Sequence, residues 1–217
     1  MKIRPDELSP KIRYNLLIGS IVPRPIAVVG TRSPDGRDNL APFSFFTAVS
    51  SDPPILAVAP ANDEEGGEKD TLRNAKPRWE GGTGVFTVSV ATEPLIRRVV
   101  AAAEPLPYGE SEFALTGLTP VTGDAVAAPY VGESPVAYEC ETFEVLRFGP
   151  GRRSAGNLLL GRVVMIHLDD ALQQDRMHID PAKLEAIGRM GGLGYARTQD
   201  RFELPHGKGA LDAGATR

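Results

Sequence analysis

Residues 33–46 of the chain, SPDGRDNLAPFSFF, carry its strongest fold signal. The Asp-Gly pair in this stretch is typical of a tight turn between antiparallel strands. Stretches rich in apolar residues lie on both sides of the turn, at 26–29 and 39–49, so the sequence predicts two strands that pair as neighbours. Pro42 interrupts the second strand because proline has no backbone N–H to give to a sheet.

Four more stretches, outward from this hairpin, have strand character. Residues 54–59 are short and apolar, and residues 86–90 alternate apolar with polar side chains, as a strand with one buried face does. In 136–145 the bulky residues change from one face to the other, which is typical of a bulged strand or of one that bends around a barrel. Residues 158–168 are almost entirely apolar on both faces, which predicts a central strand covered on both sides.

Short helices are predicted between the strands. One follows the Ser9-Pro10 start signal, and a second runs from Asp70, as its N-cap, to residue 75. Two others are predicted over 92–103 and 180–186 because each has proline in its first turn.

The predicted elements amount to five to seven strands with few helices. Hairpin signals and strands that switch faces favour a mainly β, antiparallel barrel over a doubly wound parallel sheet. No linker divides the chain, so residues 1–204 are predicted to form one domain, followed by a flexible tail at 205–217.

Composition excludes several classes of protein. The chain has 217 residues, with 24 basic and 28 acidic side chains and a net charge of -4. This balance, without a long basic run, gives no electrostatic footprint for nucleic acid or an anionic membrane. No apolar run approaches the roughly 18 residues that span a bilayer, and no signal region follows Met1, so a cytoplasmic protein is predicted. Cys140 is the only cysteine, which excludes intramolecular disulfides and multi-cysteine zinc sites.

The chain lacks the common nucleotide and hydrolase motifs G-x-G-x-x-G, G-x-x-x-x-G-K-[ST], G-x-S-x-G and H-E-x-x-H. Cys140 is interpreted as a small core residue, and Glu139 and Glu141 beside it as solvated residues of a strand face. No metal site and no catalytic acid or base are predicted. The histidines are far apart and are interpreted as surface or polar strand residues: His167, His178 and His206.

The first candidate site surrounds residues 39–46, with the turn at 23–27 and the stretch at 51–54. Prolines in these segments hold the chain extended beside turns and leave backbone groups free to face a ligand. Asn39 and Ser44 add short polar side chains, and three phenylalanines add flat surfaces. The alternative, an edge strand with two core phenylalanines, explains the rings but not the repeated prolines.

The second candidate site is Glu68-Lys69-Asp70-Thr71-Leu72. A helix start offers free N–H groups and a positive dipole end, which Lys69 and the Thr71 hydroxyl would complete as an anion site. Read by itself, the spacing favours Asp70 as the N-cap of a surface helix, and the acidic residues 63–68 as a solvated loop. Together the two sites would suit a flat, phosphorylated heterocycle.

In combination, these segments resemble a known family. The resemblance is to the flavin reductase-like, FMN-binding split-barrel proteins, in the branch that contains flavoredoxin and the reductase components of two-component flavin monooxygenases. It extends over roughly residues 10 to 204. The matching pieces occur in the family's order: VPRPIAVVGT at 22–31, DGRDNLAPFSFF at 35–46, AVSSDPPILAVAP at 48–60, EKDTLRN at 68–74, ESPVAYEC at 133–140, GRVVMIHL at 161–168 and GRMGGLGY at 188–195.

The resemblance implies a fold and a binding site. The fold is an antiparallel split β-barrel with several short peripheral helices, which forms a homodimer with FMN at the subunit interface. Lys69, Asp70 and Thr71 would hold the phosphate end of FMN. The residues that would lie along its ring and ribityl chain are Asn39, Leu40, Ala41, Pro42, Phe43, Ser44 and Phe45.

Three further residues match the family near the flavin. Arg24 of the Pro-Arg-Pro turn would approach it, and Arg189 and Tyr195 belong to a late motif near the flavin pocket. The loop at 61–68 is long and acidic, where relatives often carry a polar or basic stretch, which argues against a further basic contact to the phosphate.

The activity that the resemblance implies is hydride transfer from NAD(P)H to FMN, which would supply reduced flavin to a partner oxygenase or another acceptor. Such transfer needs close stacking and a stabilised anionic ring rather than a nucleophile or a metal, in agreement with the missing motifs. Two alternatives stay open. One is an FMN-binding electron carrier or storage protein without a nicotinamide site, and the other is a barrel of the pyridoxamine-phosphate-oxidase-like or haem-handling type.

Overall fold

The computed structural model describes residues 1–107 and 109–212. The strands are β1 Ala27–Arg32, β2 Asp38–Phe43, β3 Phe46–Ser51, β4 Pro54–Val58, β5 Val85–Val90, β6 Pro120–Thr122, β7 Pro129–Val131, β8 Val136–Arg147, β9 Asn157–Leu168, β10 Ile187–Arg189 and β11 Tyr195–Arg197. The α-helices are α1 Pro10–Ser20, α2 Asp70–Ala75, α3 Ile96–Ala101, α4 Glu112–Thr116, α5 Pro181–Leu184 and α6 Gly209–Asp212. None of the helices formed by the described residues is both long and apolar enough to cross a membrane.

Seven strands form one antiparallel sheet in the order β2-β1-β5-β8-β9-β4-β3. Although β2 and β3 are its opposite edges, only Ser44 and Phe45 separate them in the chain. The edges of a flat seven-stranded sheet lie roughly 29 Å apart, whereas the chain from Phe43 to Phe46 reaches at most roughly 11 Å. The sheet therefore rolls up, and its edges approach each other at this connection. The prediction of a mainly β, antiparallel architecture is confirmed.

The predicted single strand at 39–49 is wrong in one respect. It is two strands, β2 and β3, which belong to opposite edges of the sheet. The predicted hairpin itself is correct, because β1 and β2 pair across the turn at 33–37. Local residue preferences favour extended backbone on both sides of Ser44, and only the rolling of the sheet separates the two halves.

Both faces of β1 are buried, against different apolar clusters. Ala27 and Val29 pack with other strands of the sheet, where the ring of Phe86 is fully buried. Val28 packs with residues of α3 and α4. Gly161 on β9 allows the first cluster to close, since a Cβ there would lie 2.3 Å from the Phe86 ring.

The long β8–β9 ladder carries the predicted irregularities. Its register shifts between Glu139 and Cys140 and again between Thr142 and Glu144, which confirms the interpretation of a strand that switches faces. The prediction for β9 is wrong, because Val164, Met165 and Ile166 are exposed rather than covered on both sides. Likewise β5 is buried on both faces instead of one, since Thr87 and Ser89 are as buried as its apolar residues.

The helices depart from prediction mainly at their ends. Ser9 caps α1 as expected, but Lys69, not Asp70, is the N-cap of α2. The predicted helix at 92–103 is a 3-10 turn followed by the shorter α3. Part of the predicted tail forms α6, and residues 213–217 lie outside the described residues.

Candidate functional site

A cleft opens between β2, α2 and the segment that joins α3 to α4. Its volume is about 340 Å³, within the range of roughly 300–1,000 Å³ that small-molecule sites occupy. It brings together the two candidate segments, 39–46 and 68–72. Seven of the residues predicted to bind a ligand line it: Asn39, Ala41, Pro42, Phe43, Lys69, Asp70 and Thr71.

The start of α2 gives the cleft its basic groups. Lys69 lines the cleft, and none of the residues that the structure describes forms an ion pair with it. Arg73 also lines the cleft, where it donates to the Asp70 carboxylate over 2.6 Å and to the Glu68 carbonyl over 2.9 Å. The sequence interpretation missed Arg73. Its position three residues after Asp70, on the same face of one helix, is the signal that could have found it.

Glu112 contributes a buried carboxylate to the cleft. It is 8% exposed, and its Oε2 accepts a hydrogen bond from the Leu40 amide over 2.9 Å. Burial raises the pKa of Glu112, the Leu40 amide opposes that rise, and the nearby charge of Asp70 adds to it. No local pattern marks this residue, since it reaches the cleft only because α4 packs against β2.

Leu40 plays its part through the backbone. Its side chain is fully buried in the apolar cluster next to α3 and α4, while its amide holds Glu112. Because β2 is an edge strand, this amide has no neighbouring strand on that side, and Glu112 takes the place of one.

Besides Leu40, five predicted residues do not line the cleft and form a second cluster, which we call the arginine cluster: Arg24, Ser44, Phe45, Arg189 and Tyr195. Arg24 is 5% exposed and donates to the Ile18 and Ile21 carbonyls over 2.7 Å each. It also donates to the Met190 carbonyl over 3.2 Å and to the Ser44 hydroxyl over 3.3 Å. Its guanidinium therefore joins the end of α1 to the residue that follows β10 and to the β2–β3 connection.

The outer part of the arginine cluster is aromatic and partly exposed. Arg24 lies 5.8 Å from the centre of the Phe45 ring, and Tyr14 contacts the same ring from α1. Arg189 stacks over Tyr195 at 4.4 Å and donates to the Gly192 carbonyl over 2.5 Å. These contacts fix the β10–β11 turn beside the end of α1.

The acidic loop before α2 differs from the solvated loop that the sequence suggested. Glu68 forms ion pairs with Lys76 over 2.9 Å and with Arg147 over 2.8 Å. The Asp63 carboxylate accepts from the amides of Glu65 and Gly67, and this closes the loop on itself. The loop is an ordered wall of the cleft, since Asp63 lines it.

Glu139 overturns another expectation. Its side chain is fully buried, whereas the neighbouring Glu141 is half exposed and pairs with Arg162, as expected for a solvated face. The Glu139 carboxylate accepts from the amides of Asp124, Ala125 and Val126 and contacts His167 Nε2 over 2.6 Å. Burial works to raise the pKa of Glu139, but the bond to His167 and the three amides together lower it below its ordinary value.

The same region gives the closest approach to a metal-binding set among the described residues, formed by Asp124, Glu139 and His167. Both carboxylate oxygens of Glu139 already accept two hydrogen bonds each, so the set fits a structural role and not an ion site. Cys140, next to it, has its pKa raised to about 12 by burial and by the charge of Glu139. Its interpretation as a core residue is confirmed.

The family model for the flavin reductase like domain matches residues 18–198. Protein BH2278 of Halalkalibacterium halodurans, which is uncharacterized, is 38% identical over 205 residues, or 94% of this chain and 95% of its own.

Two solved structures resemble the whole chain. Nitrilotriacetate monooxygenase component B from Bacillus cereus superposes with a TM-score of 0.86 at 36% identity, over 94% of this chain and 98% of its own. A Shewanella frigidimarina protein with a split barrel domain has a TM-score of 0.75 at 20% identity, over 95% of this chain and 100% of its own. The latter likeness bears on the fold alone and agrees with the rolled antiparallel sheet.

Proposed function

Because the chain belongs to the flavin reductase-like domain family, we propose that it binds FMN in the cleft and transfers hydride to it from NADH or NADPH. The observation that carries the proposal is the pairing of Lys69 and Thr71 with Pro42 and Phe43 around one cleft. The first pair offers a cation and a hydroxyl to a phosphate, and the second offers an apolar surface to a flat ring.

The donor set of the cleft fits FMN. A phosphate monoester carries close to two negative charges at neutral pH, and Lys69 is a cation without an ion-pair partner among residues 1–107 and 109–212. When bound, FMN supplies an acceptor for a hydride, which no side chain of the protein can provide.

The residues of the chain would then bind the flavin, orient it and shield it from water. Lys69 and Thr71 would anchor the phosphate, with Asp70 held beside them by Arg73. Backbone groups of 39–45 would meet the ring and ribityl chain. Glu112 accepts from the Leu40 amide, which would keep this edge strand in place while other backbone groups of the strand meet the ligand.

We propose that the active form is a homodimer. Helix α1 leaves about half of the surface of several apolar side chains exposed, and β9 exposes three more apolar residues in succession. The arginine cluster lies beside α1, with Phe45 and Tyr195 each 39% exposed, so a second subunit on this face would cover it and bring it near the flavin. Exposed apolar residues that such an interface would bury include Ile12, Tyr14, Leu16, Leu17, Ile21, Val164, Met165 and Ile166.

The acceptor for the reduced flavin is proposed to be a separate oxygenase. The support is the likeness to a protein named as component B of a monooxygenase, which is 36% identical to this chain. A two-component system separates flavin reduction from oxygen chemistry, so the reductase needs no group that activates oxygen.

The deciding experiment starts with the purified protein, equilibrated with FMN. Its visible spectrum after gel filtration reports binding, and the loss of absorbance of NADH or NADPH reports hydride transfer. Acceleration over free FMN with either nucleotide is expected. If FMN binds and neither nucleotide is oxidised faster, hydride transfer is wrong and flavin binding stands.

That second result would favour an FMN carrier. The composition of the cleft gives this alternative its support, because its only basic side chains, among the residues described, are Lys69 and Arg73. Lys69 is the N-cap of α2 and Arg73 lies within this helix, and the remaining charged residues that line the cleft are acidic, so a dinucleotide's phosphates would find no basic group away from this end of the cleft. Reduction by a protein donor, with nicotinamides inactive, would establish the carrier.

A further inference from the structure

Four polar side chains occupy a place where β1, β2 and α2 meet and where apolar residues would be expected. Thr31, Asn39, Thr71 and Asn74 are all 8% exposed or less. Buried polar groups are costly unless they are hydrogen-bonded, and an apolar set of similar shape is often more stable. Their presence calls for a reason beyond packing.

The four side chains form one hydrogen-bonded series. Thr31 Oγ1 accepts from Asn39 Nδ2 over 3.2 Å and from Asn74 Nδ2 over 3.1 Å. Asn39 Nδ2 also donates to Thr71 Oγ1 over 3.3 Å. An amide nitrogen has two hydrogens, so Thr31 and Thr71 together use both donors of Asn39.

The series ends at the cleft. Thr71 lines the cleft, and its oxygen accepts a bond from the protein interior. A hydroxyl has a single hydrogen, and none of the residues described by the structure accepts it from Thr71. The donor of Thr71 is therefore available to the cleft.

A second observation sets Asn74 apart from an ordinary buried asparagine. Its Oδ1 is buried and has no hydrogen-bond partner among the described residues. Only the donor side of this amide is used, and it is used on Thr31. A residue kept in the interior with half of its amide unsatisfied points to a role for the bond that it does make.

We propose that Thr31 and Asn74, which do not line the cleft, are positioning residues that act through Asn39 to hold the Thr71 hydroxyl as a donor to the anionic group of the bound ligand. Thr31 fixes the amide of Asn39, and Asn39 occupies the inward lone pair of Thr71. A hydroxyl held in this way loses less rotational freedom on binding than a free one, so affinity for the anion increases. The inference deepens the proposed function and depends on it.

The test compares FMN with riboflavin, which lacks only the phosphate. Titrations that follow quenching of flavin fluorescence give both dissociation constants for the wild type and for Thr31→Val. Because Thr31→Val preserves the shape of the side chain, it is expected to raise the dissociation constant of FMN on the order of tenfold, which corresponds to one charge-assisted hydrogen bond. The dissociation constant of riboflavin should stay unchanged. A merely structural role would weaken both flavins alike.

Three variants make the comparison specific. Thr31→Ser keeps the hydroxyl and should restore the wild-type ratio of the FMN and riboflavin dissociation constants. Thr87→Val removes an equally buried hydroxyl on β5, which bonds the Pro129 carbonyl and not the series, and should leave the ratio unchanged. In a Thr71→Val background, Thr31→Val should change the ratio no further, because the hydroxyl through which it acts is gone.

The possible outcomes separate this inference from the proposed function. A wild type that binds FMN and riboflavin equally, or a ratio unchanged in Thr31→Val, would overturn the inference and leave flavin binding intact. A wild type that binds neither flavin would overturn both. If Thr31→Val does not fold, Asn74→Leu removes the other donor to the same oxygen, and an unchanged ratio there overturns the inference equally.

Discussion

Two glutamates, Glu112 and Glu139, are both withdrawn from solvent, at 8% and 0% exposure, but they are held in different ways. Glu139 accepts three amide hydrogen bonds and contacts His167, and these partners bring its pKa below the ordinary value despite burial. Glu112 accepts one amide bond, from Leu40, and burial dominates, so its pKa is raised.

The two carboxylates differ in the number of hydrogen-bond donors that face them. Burial alone does not decide the charge of a group; the number of donors that face it does. Around Glu139 the donors saturate the carboxylate and fix the loop at 124–126. Around Glu112 the amide of Leu40 does not saturate the carboxylate, which lines the cleft.

The largest expected effect is a loss of stability when Glu139, whose carboxylate is saturated with donors, is substituted. Glu139→Gln puts an amide nitrogen among backbone donors and removes the charge, so the free energy of unfolding should fall by about 3–5 kcal/mol. Urea denaturation followed by circular dichroism measures it. Glu141→Gln, on the exposed side of the same strand, is the control and should change stability by less than about 1 kcal/mol. Equal effects of the two substitutions would show that the buried hydrogen bonds of Glu139 are worth no more than a surface ion pair.

The next effect tests the cleft. Lys69→Ala should weaken FMN binding by roughly 1.5–3 kcal/mol, the size of a hydrogen bond to a charged group, with little effect on riboflavin. Fluorescence titration gives both constants. Lys183→Ala, outside the cleft, should bind both flavins as the wild type does. A Lys69→Ala protein with unchanged affinity for FMN would contradict the assignment of the phosphate to this end of the cleft.

Smaller effects are expected in the pH dependence of stability, with opposite signs for Glu112 and Glu139. The folded-state pKa of Glu112 lies above its ordinary value of 4.5, so the native state binds this proton more tightly than the unfolded state. Its contribution to stability is present below pH 4.5 and is lost as pH rises through the folded pKa. Relative to the wild type, Glu112→Gln should therefore gain stability as pH increases through this window.

Glu139 should show the reverse dependence. Its folded-state pKa lies below 4.5, so its contribution is present above pH 4.5 and is lost as pH falls through the folded value. The stability difference between the wild type and Glu139→Gln should shrink in acid. Urea midpoints of the wild type and both variants, measured from pH 3 to pH 7, give the two stability differences. If both differences changed with pH in the same direction, the opposite pKa shifts assigned to Glu112 and Glu139 would be contradicted.

The smallest expected effect concerns Cys140, which should not react with thiol reagents in the native protein. Cys140 is fully buried next to Glu139 and its pKa is raised to about 12, so the thiolate is negligible at neutral pH. A thiol reagent such as dithionitrobenzoate should label the protein only after unfolding in denaturant. Rapid labelling of the native protein at pH 8 would show that the region around Glu139 opens readily and is not rigid.

Short-range features of the fold were predictable. The Asp-Gly turn between β1 and β2 and the Ser9 cap of α1 depend on backbone preferences of a few adjacent residues. The grouping of 39–43 with 69–71 also followed from the resemblance to a family, and the cleft contains both segments. The bulges of β8 were visible as a change of face in the sequence.

Other features depended on contacts between distant segments. Glu139 has the alternation of a solvated strand residue, but the loop at 124–126 folds over it and supplies donors. Arg24 donates to the carbonyls of Ile18, Ile21 and Met190, which only the folded chain brings together. Glu112, far along the chain from β2, could not be assigned to the cleft from any local pattern.

From the sequence alone came the mainly β class and two candidate segments, 39–46 and 68–72, that both reach the cleft, because these depend on local preferences and residue chemistry. The division of the strand at 39–49, and the packing of Thr31, Asn74 and Glu112 against residues that line the cleft, depend on the tertiary structure. Rolling a seven-stranded sheet brings its two edges together at Ser44 and Phe45. The same closure, with α2 and α4 packed against it, sets Thr31, Asn74 and Glu112 around residues that are remote from them in sequence.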